Sequence, residues 1–314
     1  MTYRYILGTG TMAKGTDEPY AGALSMIENL PVKDYINSRA GRRYGRLTKL
    51  ITIAAHRALA EAEIADPSKI PVAAATCIGE THAALGILEQ IHQTKGVTLS
   101  PALIPNSVHN AAAGYLSIGL KNHAPSLTVS QGWLSVEAAL AAADDMMAAG
   151  LHDCILAAAG DEAMPAWADR LVELGDSDAA ERLRKEAFEE GAASVVLGTT
   201  PGDKSLGSVA AGVERWGNTA EKLPSLLSRN GIDLSPYCLI RLRQSAGGAA
   251  LLPLTAAAFP GATVTLDGEG AGTVQTGSLT HVIQAARGNR SQDLLLLGAE
   301  ADEIGFVHWK PANF

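Results

Sequence analysis

The sequence predicts an α/β protein in which helices cover a sheet, made of two halves that share one order of elements. Short, continuous apolar runs bounded by turn residues, such as Pro71–Ile78 and Cys154–Ala159, read as strands covered on both faces. They alternate with segments whose apolar residues recur at helical spacing, and that alternation implies parallel strand pairing. After the turn cluster Thr199-Thr200-Pro201-Gly202-Asp203 the order starts again in shorter form. The chain is thereby divided into residues 1–200 and 201–314, a repeat of element order without a repeat of sequence.

Each element has its own reason. Tyr3–Leu7 is predicted as a buried strand that leaves through a turn at Gly8-Thr9-Gly10. A dinucleotide fingerprint would need a third glycine and an immediate helix, but Ala13 stands at that place, so this reading is rejected. Leu47, Leu50, Ile51, Ala54, Ala55, Ala58 and Leu59 fall on one helical face, which Asp66-Pro67 ends. Strand Pro71–Ile78 follows, then helices Ala83–Gln93 and Ser107–Leu120, the second with Asn106-Ser107 as its capping pair. Next come strand Ser126–Val129, helix Leu134–Ala149 and strand Cys154–Ala159. The charged helical stretch Asp178–Glu190 has no core face and is placed at the surface before strand Ala192–Leu197. The second half reads as strand Leu206–Gly212, helix Thr219–Arg229, strand Tyr237–Leu242, helix Gly247–Phe259, strand Ala262–Leu266, helix Thr273–Arg287 and closing strands Leu294–Gly298 and Gly305–Trp309.

Composition limits the function. At 47% hydrophobic and 18% charged, the 314 residues can bury a large core. A formal charge of −8 argues against nucleic acid as partner, since phosphate backbones are bound by clustered cations. Cys77, Cys154 and Cys238 are too few and too far apart for a disulfide framework or a zinc site, and read as reduced. No run of 18 apolar residues suggests a membrane span, and the start lacks a signal-like segment, so a cytoplasmic protein is expected. No cofactor and no metal is expected.

Several motifs carry a resemblance. Ile104–Gly114 (IPNSVHNAAAG) resembles the PNSVHNAPAG segment of ketosynthase-like subunits, and Ala124–Ser130 the strand that delivers the nucleophile of β-ketoacyl synthases. Leu151–Glu162, Glu190–Ala193 and the opening Tyr3–Gly10 are similar to further family segments in the right order. The resemblance implies a thiolase-like fold in an αβαβα layered arrangement. It also implies a nucleophilic cysteine at the turn from that strand into the next helix, where free backbone donors and the helix N-terminus would stabilise a thiolate. Here the matching residue is Trp133, within Ser130-Gln131-Gly132-Trp133-Leu134-Ser135, and an indole forms no thioester. The second of two family histidines is matched by Ser278, and the segment matching the first, Ile240–Gly248, holds no histidine.

Loss of all three groups resembles the chain-length factor, a degenerate partner of an active ketosynthase in type II polyketide or fatty-acid systems, here closest to the compact aryl-polyene and reducing types. No catalytic residue is then assigned. Gln131, Gly132 and Trp133 would line a tunnel or pocket, although Trp133 could equally be core packing. Asn106, His109, Asn110, Tyr115 and Thr128 would meet the partner in a heterodimer, with the nucleophile strand pairing across the two-fold axis. Arg39, Arg42, Arg43, Arg46 and Lys49 put five cations within eleven residues; Arg42, Arg43 and Arg46 could dock an acidic acyl carrier protein, which the active partner would ordinarily receive. The rival reading is a stand-alone acyltransferase or condensing enzyme using Cys77, His109 or His281, with a Cys77/His82 dyad as one form. Asp161 and Glu162 could bind a ligand or pair with Arg170.

Overall fold

Arg4–Met12 form one nine-residue strand, β1, so Gly8-Thr9-Gly10 lies inside a strand and the predicted turn is absent. The cause is a close approach. Helix α3 (Arg46–Glu61) backs onto β1 so tightly that a Cβ at Gly8 would lie 2.4 Å from the Ala58 carbonyl oxygen, and one at Gly10 would lie 2.0 Å from that of Ala54. Only glycine leaves room for a helix backbone there. The computed structural model describes residues 2–12, 26–163, 169, 172, 173, 175, 190–215, 222–232, 238–242, 246–266, 277–288, 291–300 and 303–312.

Short helices α1 (Val32–Tyr35) and α2 (Ser38–Gly41) precede α3. The first half continues with β2 (Val72–Ala75), α4 (Thr81–Thr94), α5 (Ala111–Gly119), β3 (Ser126–Val129), α6 (Ser135–Ala148), β4 (Cys154–Asp161) and β5 (Gly191–Gly198). The second comprises β6 (Ser208–Arg215), α7 (Lys222–Arg229), β7 (Leu239–Leu242), α8 (Ala246–Ala258), β8 (Thr263–Leu266), α9 (Gly277–Arg287), β9 (Leu294–Glu300) and β10 (Glu303–Lys310). The predicted helix Asp178–Glu190 lies outside the described residues, apart from the buried Glu190.

All ten strands are hydrogen-bonded in the order β3-β2-β4-β5-β1-β6-β10-β9-β7-β8. Read inward from either edge, each group of five runs third, second, fourth, fifth, first. Pairing repeats too: β2 is parallel to β3 and β4, as β7 is to β8 and β9, while β4–β5 and β9–β10 are antiparallel. The groups join through two antiparallel residue pairs of β1 and β6.

Side-chain alternation builds the layers. Ile155, Ala157 and Ala159 of β4 point into a central core with α6, α9 and strands of the second group. Leu156 and Ala158 point the other way, onto α3 and α5. Leu295, Leu297 and Phe306 face α7 and α8 on the far side. The stack is thus α3/α5, half-sheet, α6/α9, half-sheet, α7/α8, the αβαβα arrangement that the family resemblance implied.

Candidate functional site

The parallel strands β2, β3 and β4 open at their carboxyl ends, where an α/β sheet ordinarily presents a ligand site. β3 delivers the turn Ser130–Leu134, after which α6 starts at Ser135. Gly132 has φ +50°, and a Cβ on it would lie 2.6 Å from both carboxylate oxygens of Glu300. Glu300 Oε2 accepts the Trp133 backbone N–H at 2.8 Å, and Gln131 Nε2 donates to Glu303 Oε2 at 2.8 Å. Ser135 Oγ accepts the Gln131 N–H at 2.8 Å and donates to the Gly132 carbonyl at 2.7 Å, so its hydroxyl closes the turn and is engaged there. Trp133 is half-buried, and among the described residues it is in none of the three core clusters.

Beside this turn lies a charged network. Strand β2 stops at Ala75, leaving Cys77 beyond the strand the sequence placed it in. Asp161 is buried and accepts from Thr76 Oγ1 at 2.7 Å and from the N–H groups of Cys77 and Ile78 at 3.0 and 2.9 Å. Burial outweighs these bonds and pushes its carboxyl up to about 6. Glu162 accepts the His82 N–H at 2.6 Å and lies 3.2 Å from His82 Nδ1, which raises the imidazole above its ordinary value. The buried Glu80 accepts from the N–H and hydroxyl of Thr48 in the first turn of α3; burial, followed by the nearby Glu162, raises it. Arg46 pairs with the buried Glu190 through Nε at 2.6 Å. Asp161 and Glu162 are thus held by neighbouring backbone and by His82, while Arg170 lies outside the described residues.

The interface and docking candidates meet in part. Arg42, Arg43, Arg46, Asn106 and Tyr115 line one cavity of about 620 Å³ together with Leu103. Its wall is fixed by Tyr44, whose ring lies 5.0 Å from that of Tyr115 and whose hydroxyl donates to the Tyr115 carbonyl at 3.0 Å. Arg42 and Arg43 are exposed. Asn106 does not cap a helix: its Nδ2 donates to the Arg43 carbonyl at 3.0 Å, and α5 begins five residues later at Ala111. Ser107 donates instead to the Ile104 carbonyl, ending a 3₁₀ turn. His109 and Asn110 are exposed, with His109 against Gly79, and Thr128 sits on edge strand β3.

In the second half, His281 is buried in α9, its Nδ1 3.0 Å from Arg241 Nη1 and 3.3 Å from Gln284 Oε1. Ser278 lies in the first turn of α9, and its side chain is outside the described residues. The contacts that sequence reasoning missed are those of Glu300 and Glu303. Their one available signal was the run of acids, Glu300, Asp302 and Glu303, between the two predicted closing strands.

A strand-to-helix turn on a sheet of two groups in the same strand order defines a thiolase-like α/β protein. More particularly, residues 24–174 of the chain match the N-terminal domain of β-ketoacyl synthases. It is similar to "the ishigamide ketosynthase/chain length factor" (17% identity, 99% of this chain and 100% of that chain, TM-score 0.76). It is also similar to the AntDE:AntF complex, a type II PKS acyl-carrier protein with its ketosynthase bound to the hexaketide (15% identity, 99% and 100%, TM-score 0.78). A third similar structure is a β-ketoacyl synthase from Burkholderia phymatum STM815 (15% identity, 100% and 100%, TM-score 0.75). At these identities the likeness is one of fold. A comparison with curated proteins found no match. Among the described residues, no helix is long and apolar enough to cross a membrane, and no group of three His, Cys, Asp or Glu could hold a metal ion.

Proposed function

We propose that this chain is a non-catalytic, chain-length-factor-like subunit that pairs with an active ketosynthase in a type II polyketide or fatty-acid condensing complex, of the aryl-polyene or reducing polyene kind. One observation carries the reading: the residue at the strand-to-helix turn is Trp133, and the hydroxyl two residues on, Ser135, is spent on closing that turn. In this reading the half-buried indole helps to set where a growing chain must stop, with Gln131 and Gly132 beside it. The partner would cover the edge strand β3 and the segment Ile104–Leu120, whose Ile104, Val108 and Ile118 are exposed. Exposed Arg42 and Arg43 would attract an acidic carrier protein toward the partner's entrance, whereas Arg46 is held by Glu190. The complex would work in the cytoplasm and needs no cofactor on this chain.

The test is reconstitution. The chain, a neighbouring ketosynthase and a carrier protein are combined with malonyl units, together and with each omitted. Products are expected only when all are present. Trp133→Ala should shift the product length while total turnover stays within about twofold. A thioester adduct formed on this chain alone would overturn the reading and favour a stand-alone acyltransferase.

A further inference from the structure

The Trp133 N–H precedes the first turn of α6, where helix geometry leaves backbone donors without intrahelical partners. A donor at such a turn stabilises a developing oxyanion when it lies about 2.7–3.1 Å from that oxygen. Here the donor is already used: Glu300 Oε2 sits 2.8 Å from the Trp133 nitrogen. Glu300 ends β9, and Glu303, which starts β10 across the connection, holds Gln131 of the same turn. Two carboxylates from one strand connection therefore clasp the turn on both sides of Gly132. Gly132 has the left-handed φ of +50° that favours glycine, and without a Cβ it leaves room for the Glu300 carboxylate, whose oxygens would lie 2.6 Å from that atom.

We propose that Glu300 is an internal anionic plug: its carboxylate occupies the place beside the Trp133 N–H that the carbonyl oxygen of an acyl group would take. The inference rests on reading the 130–134 turn as a former acyl site. Its consequence is that two residues close this site independently. Restoring a thiol at position 133 leaves the donor blocked and sets a fixed negative charge against both the thiolate and the oxyanion formed on attack.

The experiment compares the full-length wild type, Trp133→Cys, Glu300→Ala and the Trp133→Cys/Glu300→Ala double variant, each incubated with an acyl N-acetylcysteamine thioester and followed by intact mass and peptide mapping. In the expected reaction the introduced thiolate attacks the acyl carbon, a new C–S bond forms, and N-acetylcysteamine leaves as its thiolate, taking up a proton from water. The double variant should acylate at position 133 at least tenfold faster than Trp133→Cys; equal rates would overturn the proposal. Amide hydrogen exchange at Trp133 gives a second reading that needs no chemistry. It should quicken at least tenfold in Glu300→Ala and less in Glu300→Gln, which keeps a neutral acceptor; unchanged exchange in both would also overturn it. Acylation of the wild type at another residue, such as Cys77, would defeat the non-catalytic reading instead, and the Trp133 exchange would still decide the role of Glu300.

Discussion

Asp161 shows how a single buried group can tie stability to pH. Its carboxyl is raised from 3.8 to about 6 because burial outweighs the bonds from Thr76, Cys77 and Ile78. The folded state therefore prefers the protonated acid. The stability this gives is complete below the ordinary value and is lost as pH rises through about 6. Measured against Asp161→Asn, wild-type stability should fall between about pH 4 and pH 7, by about 3 kcal/mol at most. Guanidine unfolding at intervals across that range checks it, and a difference that stays flat with pH would count against the raised value. Gly10 makes a steric prediction. With the Ala54 carbonyl 2.0 Å from where a Cβ would be, Gly10→Ala should lower unfolding free energy by about 1–3 kcal/mol or more, read from the denaturant midpoint. The same glycine marks a limit of the sequence. Gly-x-Gly after an apolar run looks like a turn when read locally, and only the approach of Ala54 in α3, 44 residues beyond Gly10, shows that the strand continues to Met12. Glu300 was illegible for the same reason: its contact spans 167 positions, and an acid at a strand end ordinarily faces water.

At the scale of elements, legibility followed burial. β4 and β5 are buried along nearly their whole length, so their apolar runs, Cys154–Ala159 and Ala192–Leu197, identified them within a residue or two. The sequence starts helix α5 four residues too early because Asn106-Ser107 looks like a cap, whereas the structure spends both residues on a 3₁₀ turn and on the Arg43 carbonyl. Helix α4 is the least embedded of the longer first-half helices α3, α4, α5 and α6. Of its 14 residues only Thr81 and Ala83 are buried, while Leu88 and Ile91 are 59% and 41% exposed. Its first turn is tied down by Glu162, which takes both the N–H and the ring of His82. Because the folded imidazole is raised, this tie is strongest below its ordinary value of 6.5 and is lost as pH rises through the elevated one. Hydrogen exchange should therefore be faster in α4 than in α3 and should quicken further on going from about pH 6 to pH 8, after correction for intrinsic rates. Glu162→Gln should abolish that extra pH dependence in the first turn. If α4 exchanges as slowly as α3 at both pH values, the helix has an anchor other than this carboxylate.

For the whole molecule, the strand order among the described residues leaves two edges, β3 and β8, and β3 is the one that leads into the 130–134 turn. β3 is short and only partly covered, and an open edge of this kind invites pairing with another chain. It lies beside α5, whose Ile118 is 70% exposed although that helix buries Ala111, Ala112, Ala113 and Leu116 on its other face. Such a residue contributes little to the monomer, so Ile118→Glu should change unfolding free energy by no more than about 0.5 kcal/mol. If this face takes a ketosynthase, the same substitution forces a carboxylate into an apolar contact and should weaken association at least tenfold, because a charge buried without a partner at an interface is costly. Co-purification and sedimentation of the wild-type and Ile118→Glu chains with the ketosynthase would measure this. A variant that folds and still binds with unaltered affinity would place the partner elsewhere, away from the β3 edge.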